Sequence, residues 1–264
     1  MVNCFAQRLA VSPPTWNWGE IPHWVLDYTQ DCLRFVDFYR VRGGNGWTSD
    51  LATTCRADLR QAPERFVPDG SDVQDMVYHE TSGTTGTQVK IFNHPVAAEC
   101  YLPLLSLALS RVGVAFEPGP DRVALMLVFH HTTTLTYPQV CPVLGGAAFV
   151  RLNLHPSHWQ NSQDRAQYLD FCAPQVITGT PLSLCELSKI PMKHRPKALV
   201  TTSMALLSAT RSLLESHFDC PLIDLYSMAE CRCIAARHDN GAFELLAHDV
   251  FVEILDDQGR LCAA

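Results

Sequence analysis

The sequence predicts an α/β protein built on mostly parallel sheets with helices on both faces, ending in a partial small β unit. Three observations point there. Residues 122–129 are an almost unbroken apolar run of strand length, the pattern of a strand covered on both sides. Short apolar segments at 147–152, 175–178, 197–201 and 222–226 then alternate with helical ones at 161–171, 181–189 and 205–218, and strand–helix alternation builds a parallel sheet. Beyond residue 240 the character changes: 242–247 and 249–256 read as neighbouring strands, and Asp257-Gln258-Gly259 supplies a turn.

Taken in order, residues 1–22 are rich in Pro and Trp without a clear period, a lead-in to the body. Residues 23–40 carry apolar groups at helical spacing and stop at Arg42-Gly43-Gly44-Asn45-Gly46. A short helix at 53–61 precedes a loop through Pro63 and Pro68. Residues 75–79 read as a strand entering a Gly/Thr loop, and 96–112 as a long apolar helix behind it. After 122–129 comes a His/Thr loop and a helix expected to end near Gly145-Gly146. Pro181 suits the first turn of the 181–189 helix, where no N–H is needed. The expected organisation is 1–75 lead-in and helices, 76–240 α/β core, and 241–264 the start of a β subdomain.

The 264 residues include 47% hydrophobic and 18% charged side chains, the balance of a globular chain. A net charge of −7 and the absence of Lys/Arg-rich runs argue against nucleic acid or an anionic membrane as partner. No apolar stretch is long enough to insert in a membrane, and the opening residues lack the pattern of a secretory leader. The expectation is a cytoplasmic protein whose 11 cysteines are reduced and mostly buried as small apolar groups. Cys231, Cys233 and His238 have weak zinc-site spacing, with buried thiols the simpler reading.

The chemistry concentrates at Thr81-Ser82-Gly83-Thr84-Thr85-Gly86, where four hydroxyl groups and two glycines are consecutive. Glycine lets the backbone turn tightly, and successive N–H groups with hydroxyl donors make a concavity for an anion such as a phosphate chain. The alternative is a plain surface loop. Gly83 and Gly86 lie too close for a Walker loop, no Gly-x-Gly-x-x-Gly is present, and no Gly-x-Ser-x-Gly elbow marks a hydrolase.

In combination these segments resemble the adenylate-forming superfamily of acyl- and aryl-CoA ligases, peptide-synthetase adenylation domains and luciferases. Residues 81–86 resemble its phosphate loop, and Asp224-Leu225-Tyr226-Ser227-Met228-Ala229-Glu230 its Y-G-x-T-E motif after a strand. Val128-Phe129-His130-His131 is similar to its strand-end Phe-His segment, and Ile177-Thr178-Gly179-Thr180-Pro181 to the turn beside its acid pocket. The strand from Asp249 to Asp256, followed by Gly259, looks like that of the phenylacetate-CoA-ligase-like branch. The resemblance covers residues 65–262.

The resemblance implies ATP, Mg²⁺ and a carboxylic acid as ligands, with CoA or the phosphopantetheine of a carrier protein as acceptor. Thr81, Ser82, Gly83, Thr84, Thr85 and Gly86, with Lys90, would hold phosphates; Tyr226 and Ser227 would lie at the adenine; Ser203, Met204 and Ala205 would sit between adenine and acid. Glu230 would bind Mg²⁺, and His130 would stand at the mouth between the acid and thiol sites. Apolar Phe129, Met204, Leu225 and Met228 suggest an aromatic or medium apolar acid. There are departures. Gln88-Val89 replaces the usual Pro-Lys, so Lys90 comes one place late; Ser227 stands where glycine is common; Ala229 replaces threonine and removes a phosphate donor. The family's ribose-binding aspartate, hinge and lid domain with its adenylation lysine have no counterpart in these residues. The expectation is the N-terminal portion of an AMP-forming acid–thiol ligase, completed by further sequence or a partner chain. The alternative is a non-catalytic binding or scaffolding protein on the same fold.

Overall fold

The computed structural model describes residues 2–11, 20–43, 53–80, 89–133, 135–246, 250–258 and 260–262. In chain order these form helices α1 (Val2–Val11), α2 (His23–Phe35), α3 (Asp37–Arg42) and α4 (Arg56–Gln61), then strands β1 (Val77–Glu80) and β2 (Lys90–Asn93). Helices α5 (Pro95–Glu99) and α6 (Tyr101–Ser110) follow, then strands β3 (Val123–Phe129), β4 (Tyr137–Cys141) and β5 (Ala147–Asn153). The remainder is α7 (Asp164–Cys172), β6 (Val176–Gly179), α8 (Pro181–Leu187), β7 (Ala198–Thr201), α9 (Ser208–Phe218), β8 (Leu222–Met228), β9 (Arg232–Arg237) and β10 (Glu244–Leu245). No helix among the described residues is long and apolar enough to cross a membrane.

The chain divides into two compact units. The first holds 1–10, 102–228 and 233–247. Its sheet runs β10-β9-β8-β7-β6-β3-β5-β4, with β5, β3, β6, β7 and β8 mutually parallel and the two outer pairs β4–β5 and β9–β10 antiparallel. The mixed α/β class with a mostly parallel sheet is as the alternation predicts. Side chains alternate across a strand. Met126, Val128, Val150, Leu152, Ile177, Leu199 and Leu222 therefore share one face, where they join Leu169 of α7, Leu184 and Leu187 of α8, and Leu214 and Phe218 of α9 in a single core. The alternate set, Leu125, Val176, Val200 and Ile223, is equally buried on the other face, which explains the uninterrupted apolar runs.

Helix starts follow local chemistry. Thr180 caps α8, its Oγ1 accepting from the Ser183 N–H at 3.1 Å, and Pro181 occupies the first turn. Arg211 of α9 is 2% exposed and donates to the carbonyls of Leu222, Arg237 and His238, fixing the helix against β8 and β9.

The second unit holds 11–101, 229–232 and 248–264. Its strands β1 and β2 pair antiparallel, with Glu80 opposite Lys90. The helix expected over 23–40 is broken at Val36, which is extended (φ −111°, ψ 116°) and bridges to Pro68. Phe38 then stacks on Phe66 at 4.1 Å, while Asp37 takes the Arg65 guanidinium at 2.7 Å. Long-range packing outweighs helical propensity there.

Other expectations change too. Residues 2–11 are helical, and the helix expected over 96–112 is two, divided at Cys100. The helix expected before Gly145-Gly146 is instead edge strand β4 and a short 3₁₀ turn, Pro142–Leu144. An edge strand exposed along most of its length shows no alternation, and Pro138 is tolerated there. Strand β9 was not anticipated, because its buried Cys233, Ala235 and Ala236 are small residues with little strand signal. In place of a strand over 249–256, the described residues form a single bridge, Leu255 to Leu261.

Candidate active site

Parallel pairing brings the carboxyl ends of β3, β5, β6, β7 and β8 to one edge of the sheet. The chain leaves β3 toward β5 and leaves β6 toward β7, in opposite directions along the sheet. Ligand crevices in open α/β sheets form where adjacent strands diverge in this way. His130 directly follows β3, Gly179 ends β6, Ser203, Met204 and Ala205 follow β7, and Tyr226 and Ser227 lie near the end of β8. Topology thus collects residues far apart in sequence on one edge.

Specific contacts stitch that edge. The Thr202 N–H donates to the Gly179 carbonyl at 3.2 Å, and the Thr202 and Ser227 hydroxyls are 2.9 Å apart, linking β6, β7 and β8. Ser203 has φ +71°, a left-handed conformation uncommon for a residue with a Cβ, at the turn toward α9. At the other end, fully buried Asn153 accepts from the N–H groups of His131 and His155 and donates to the His131 carbonyl at 2.6 Å. These bonds bring the loops after β3 and β5 together, with the His130 and His155 rings 5.1 Å apart. Lys189 bonds the Glu186 carboxylate of α8 and holds it below the usual range, with lesser contributions from His130 and Arg165.

Behind Tyr226 lies a buried charge. Asp224 is 4% exposed; it accepts from the Thr201 hydroxyl at 3.2 Å and from the Arg237 guanidinium at 2.6 Å. That guanidinium lies 4.7 Å from the Phe243 ring centre, and Phe243 lies 6.0 Å from the Tyr226 ring. Tyr226, Met204 and Met228 are roughly half exposed, whereas Leu225 points into the core and is not available to line a pocket.

Thr81, Ser82, Gly83, Thr84, Thr85 and Gly86 lie outside the described residues, between paired strand ends Glu80 and Lys90. Lys90 is on β2 in the second unit, its Nζ 5.5 Å from the Tyr78 ring centre. Glu230 is exposed in the turn between β8 and β9. A single carboxylate in solvent, completed by phosphate oxygens and water, is a donor set that suits Mg²⁺. Among the described residues no group of three or more His, Cys, Asp or Glu side chains is gathered as a metal-binding cluster. Cys32, Cys141 and Cys233 are buried, but Cys4, Cys55 and Cys231 are exposed and the rest intermediate, so the expectation of mostly buried cysteines does not hold.

No family model and no curated protein matches the sequence. Solved structures do match in shape. An open conformation of 2-hydroxyisobutyryl-CoA ligase, in complex with 2-HIB-AMP and CoA, aligns at TM-score 0.64 and 15% identity over 89% of this chain and 60% of its own. The same ligase in its thioesterification state gives TM-score 0.63 and 15% identity over 97% and 56%. This chain shares the fold of these ligases over most of its own length. At 15% identity the likeness is one of architecture, and the chain spans at most 60% of the length of these ligases.

Asn153, Thr202, Arg237 and Phe243 are features of this edge that sequence motifs did not mark. Only a buried polar residue closing an apolar strand, as Asn153 closes β5, offered a sequence clue.

Proposed function

We propose that this chain is the ATP- and acid-binding part of an AMP-forming carboxylic acid–thiol ligase of the phenylacetate-CoA-ligase-like branch. The observation that carries the reading is the convergence of His130, Ser203-Met204-Ala205 and Tyr226-Ser227 on one edge of the parallel sheet, at the diverging strands. These are the segments that resembled nucleotide- and acid-binding motifs.

In the proposed reaction a carboxylate oxygen attacks the α-phosphorus of ATP, the bond to the bridging oxygen breaks, and pyrophosphate leaves with its electron pair. A thiolate then attacks the acyl carbon and AMP departs. Both steps bring anions together, so the protein's contribution is positioning and charge neutralisation. Tyr226 offers a half-exposed ring to the adenine, and Ser227, tied to Thr202, holds the strand end beside it. His130, just after β3, would stand at the mouth between the acid and thiol sites. Residues 81–86, with Lys90, would donate to the phosphates. Glu230 would hold Mg²⁺, which when bound neutralises charge on the phosphate oxygens. The exposed methionines 204 and 228 suit an apolar or aromatic acid. CoA and a carrier-protein thiol are both compatible acceptors.

Equilibrium binding of ATP with and without Mg²⁺, followed by pyrophosphate release across a panel of acids, tests the reading. ATP binding that strengthens with Mg²⁺, and loses that dependence in Glu230→Gln, is the expected result. Absence of ATP binding would refute it and favour the scaffolding alternative.

A further inference from the structure

Strand β10 pairs antiparallel with β9, Glu244 opposite Ala236 and Leu245 opposite Ala235. Continued by one residue, that register sets Phe243 opposite Arg237, and their contact follows: the guanidinium carbon lies 4.7 Å from the ring centre. Arg237 is itself held by Asp224 at 2.6 Å, and its buried Nε has no hydrogen-bond partner among the described residues. Its planar group is therefore fixed by one carboxylate and packed on one ring. The Phe243 ring lies 6.0 Å from Tyr226 at an interplanar angle of 58°, within the range of a tilted aromatic pair. Both rings remain largely exposed, at 43% and 52%. All four residues belong to the first compact unit.

We propose that Phe243, held by Arg237 and through it by Asp224, is a positioning residue that sets the Tyr226 ring for stacking on a purine base. The inference rests on the nucleotide reading above. A ring that is half exposed and unsupported rotates freely; one braced by a second ring loses less freedom when a base stacks on it. The bracing chain also explains a buried charge at this point in the sheet. Asp224 lies two residues before Tyr226 on the same strand face, so it anchors the brace from the neighbouring position on that face.

The test is titration of the full chain with ATP, AMP and CTP, comparing the unsubstituted protein with Phe243→Leu, Phe243→Trp and Arg237→Lys, each checked by thermal unfolding. Phe243→Leu is expected to weaken ATP and AMP binding about three- to tenfold, the worth of one aromatic pair, and to narrow the preference for ATP over CTP. Phe243→Trp is expected to bind within about twofold of the original, since it restores the ring contact. Arg237→Lys keeps the charge beside Asp224 but loses the planar contact, and is expected to fall between them. Unchanged ATP affinity and base preference in Phe243→Leu would overturn the inference alone. Failure of the unsubstituted chain to bind ATP would overturn the nucleotide reading and the inference with it.

Discussion

Gly179→Ala isolates the close contact at the edge where β3 and β6 diverge. A Cβ built there would lie 2.9 Å from Val128 Cγ2, 3.0 Å from the Val128 carbonyl oxygen and 3.4 Å from Ser183 Cβ. The first two belong to the neighbouring parallel strand, whose carbonyl cannot rotate away, and the third to the first turn of α8. Forcing a methyl into such a core costs about 1–3 kcal/mol. Alanine also lowers the entropy of the unfolded chain, offsetting about 0.4–1 kcal/mol. The midpoints leave a net destabilisation of about 1.3 kcal/mol, which at about 2–4 °C per kcal/mol lowers the melting temperature by about 3–5 °C. Circular dichroism during thermal unfolding measures it. Gly241→Ala is the control, because its new Cβ would meet the flexible, exposed Asp239 carboxylate at 2.8 Å, which can move aside. A Gly179→Ala protein that melts with the original, or no lower than Gly241→Ala, would refute the claim that close strand approach shapes this edge.

Asp224→Ala removes one partner of a largely buried ion pair and should cost about 3 kcal/mol in urea unfolding, since it strands the Arg237 charge; a shift below 1 kcal/mol would count against the pair as an organising contact. His238 is half-buried, and desolvation, with Arg111 and Arg211 nearby opposing Glu244 and Asp239, lowers its pKa from 6.5. The folded state then binds fewer protons than the unfolded chain, so His238 contributes a loss of stability as pH drops below about 6.5. His238→Gln should flatten melting temperature between pH 7 and pH 5; an unaltered slope would show that folding does not lower this pKa. Burial pushes the Cys220 thiol up to about 11, leaving about one molecule in a thousand as thiolate at pH 8. Iodoacetamide mapping at pH 8 should therefore mark exposed Cys4 and Cys55 well before Cys220, and early Cys220 labelling would contradict its burial.

The sequence alone determined the fold class, because strands covered on both faces must be apolar throughout and the helices between them must carry their own starts. Residues 122–129 and Pro181 in the first turn of α8 were legible for that reason. It also singled out His130, Ser203 and Tyr226 as candidate site residues through motif order. What it could not determine lies where distant contacts outweigh local preference. Val36 breaks a helix because Pro68 pairs with it, β4 is a strand because β5 offers an edge, and β9 hides in cysteine and alanine. The same holds at the site. Only the parallel register brings the ends of β3, β6, β7 and β8 to one edge, and only the β9–β10 pairing sets Arg237 and Phe243 behind Tyr226. Periodicity reports what a residue does within its own element; register between strands is decided by partners remote in the chain, and the tertiary structure alone records it.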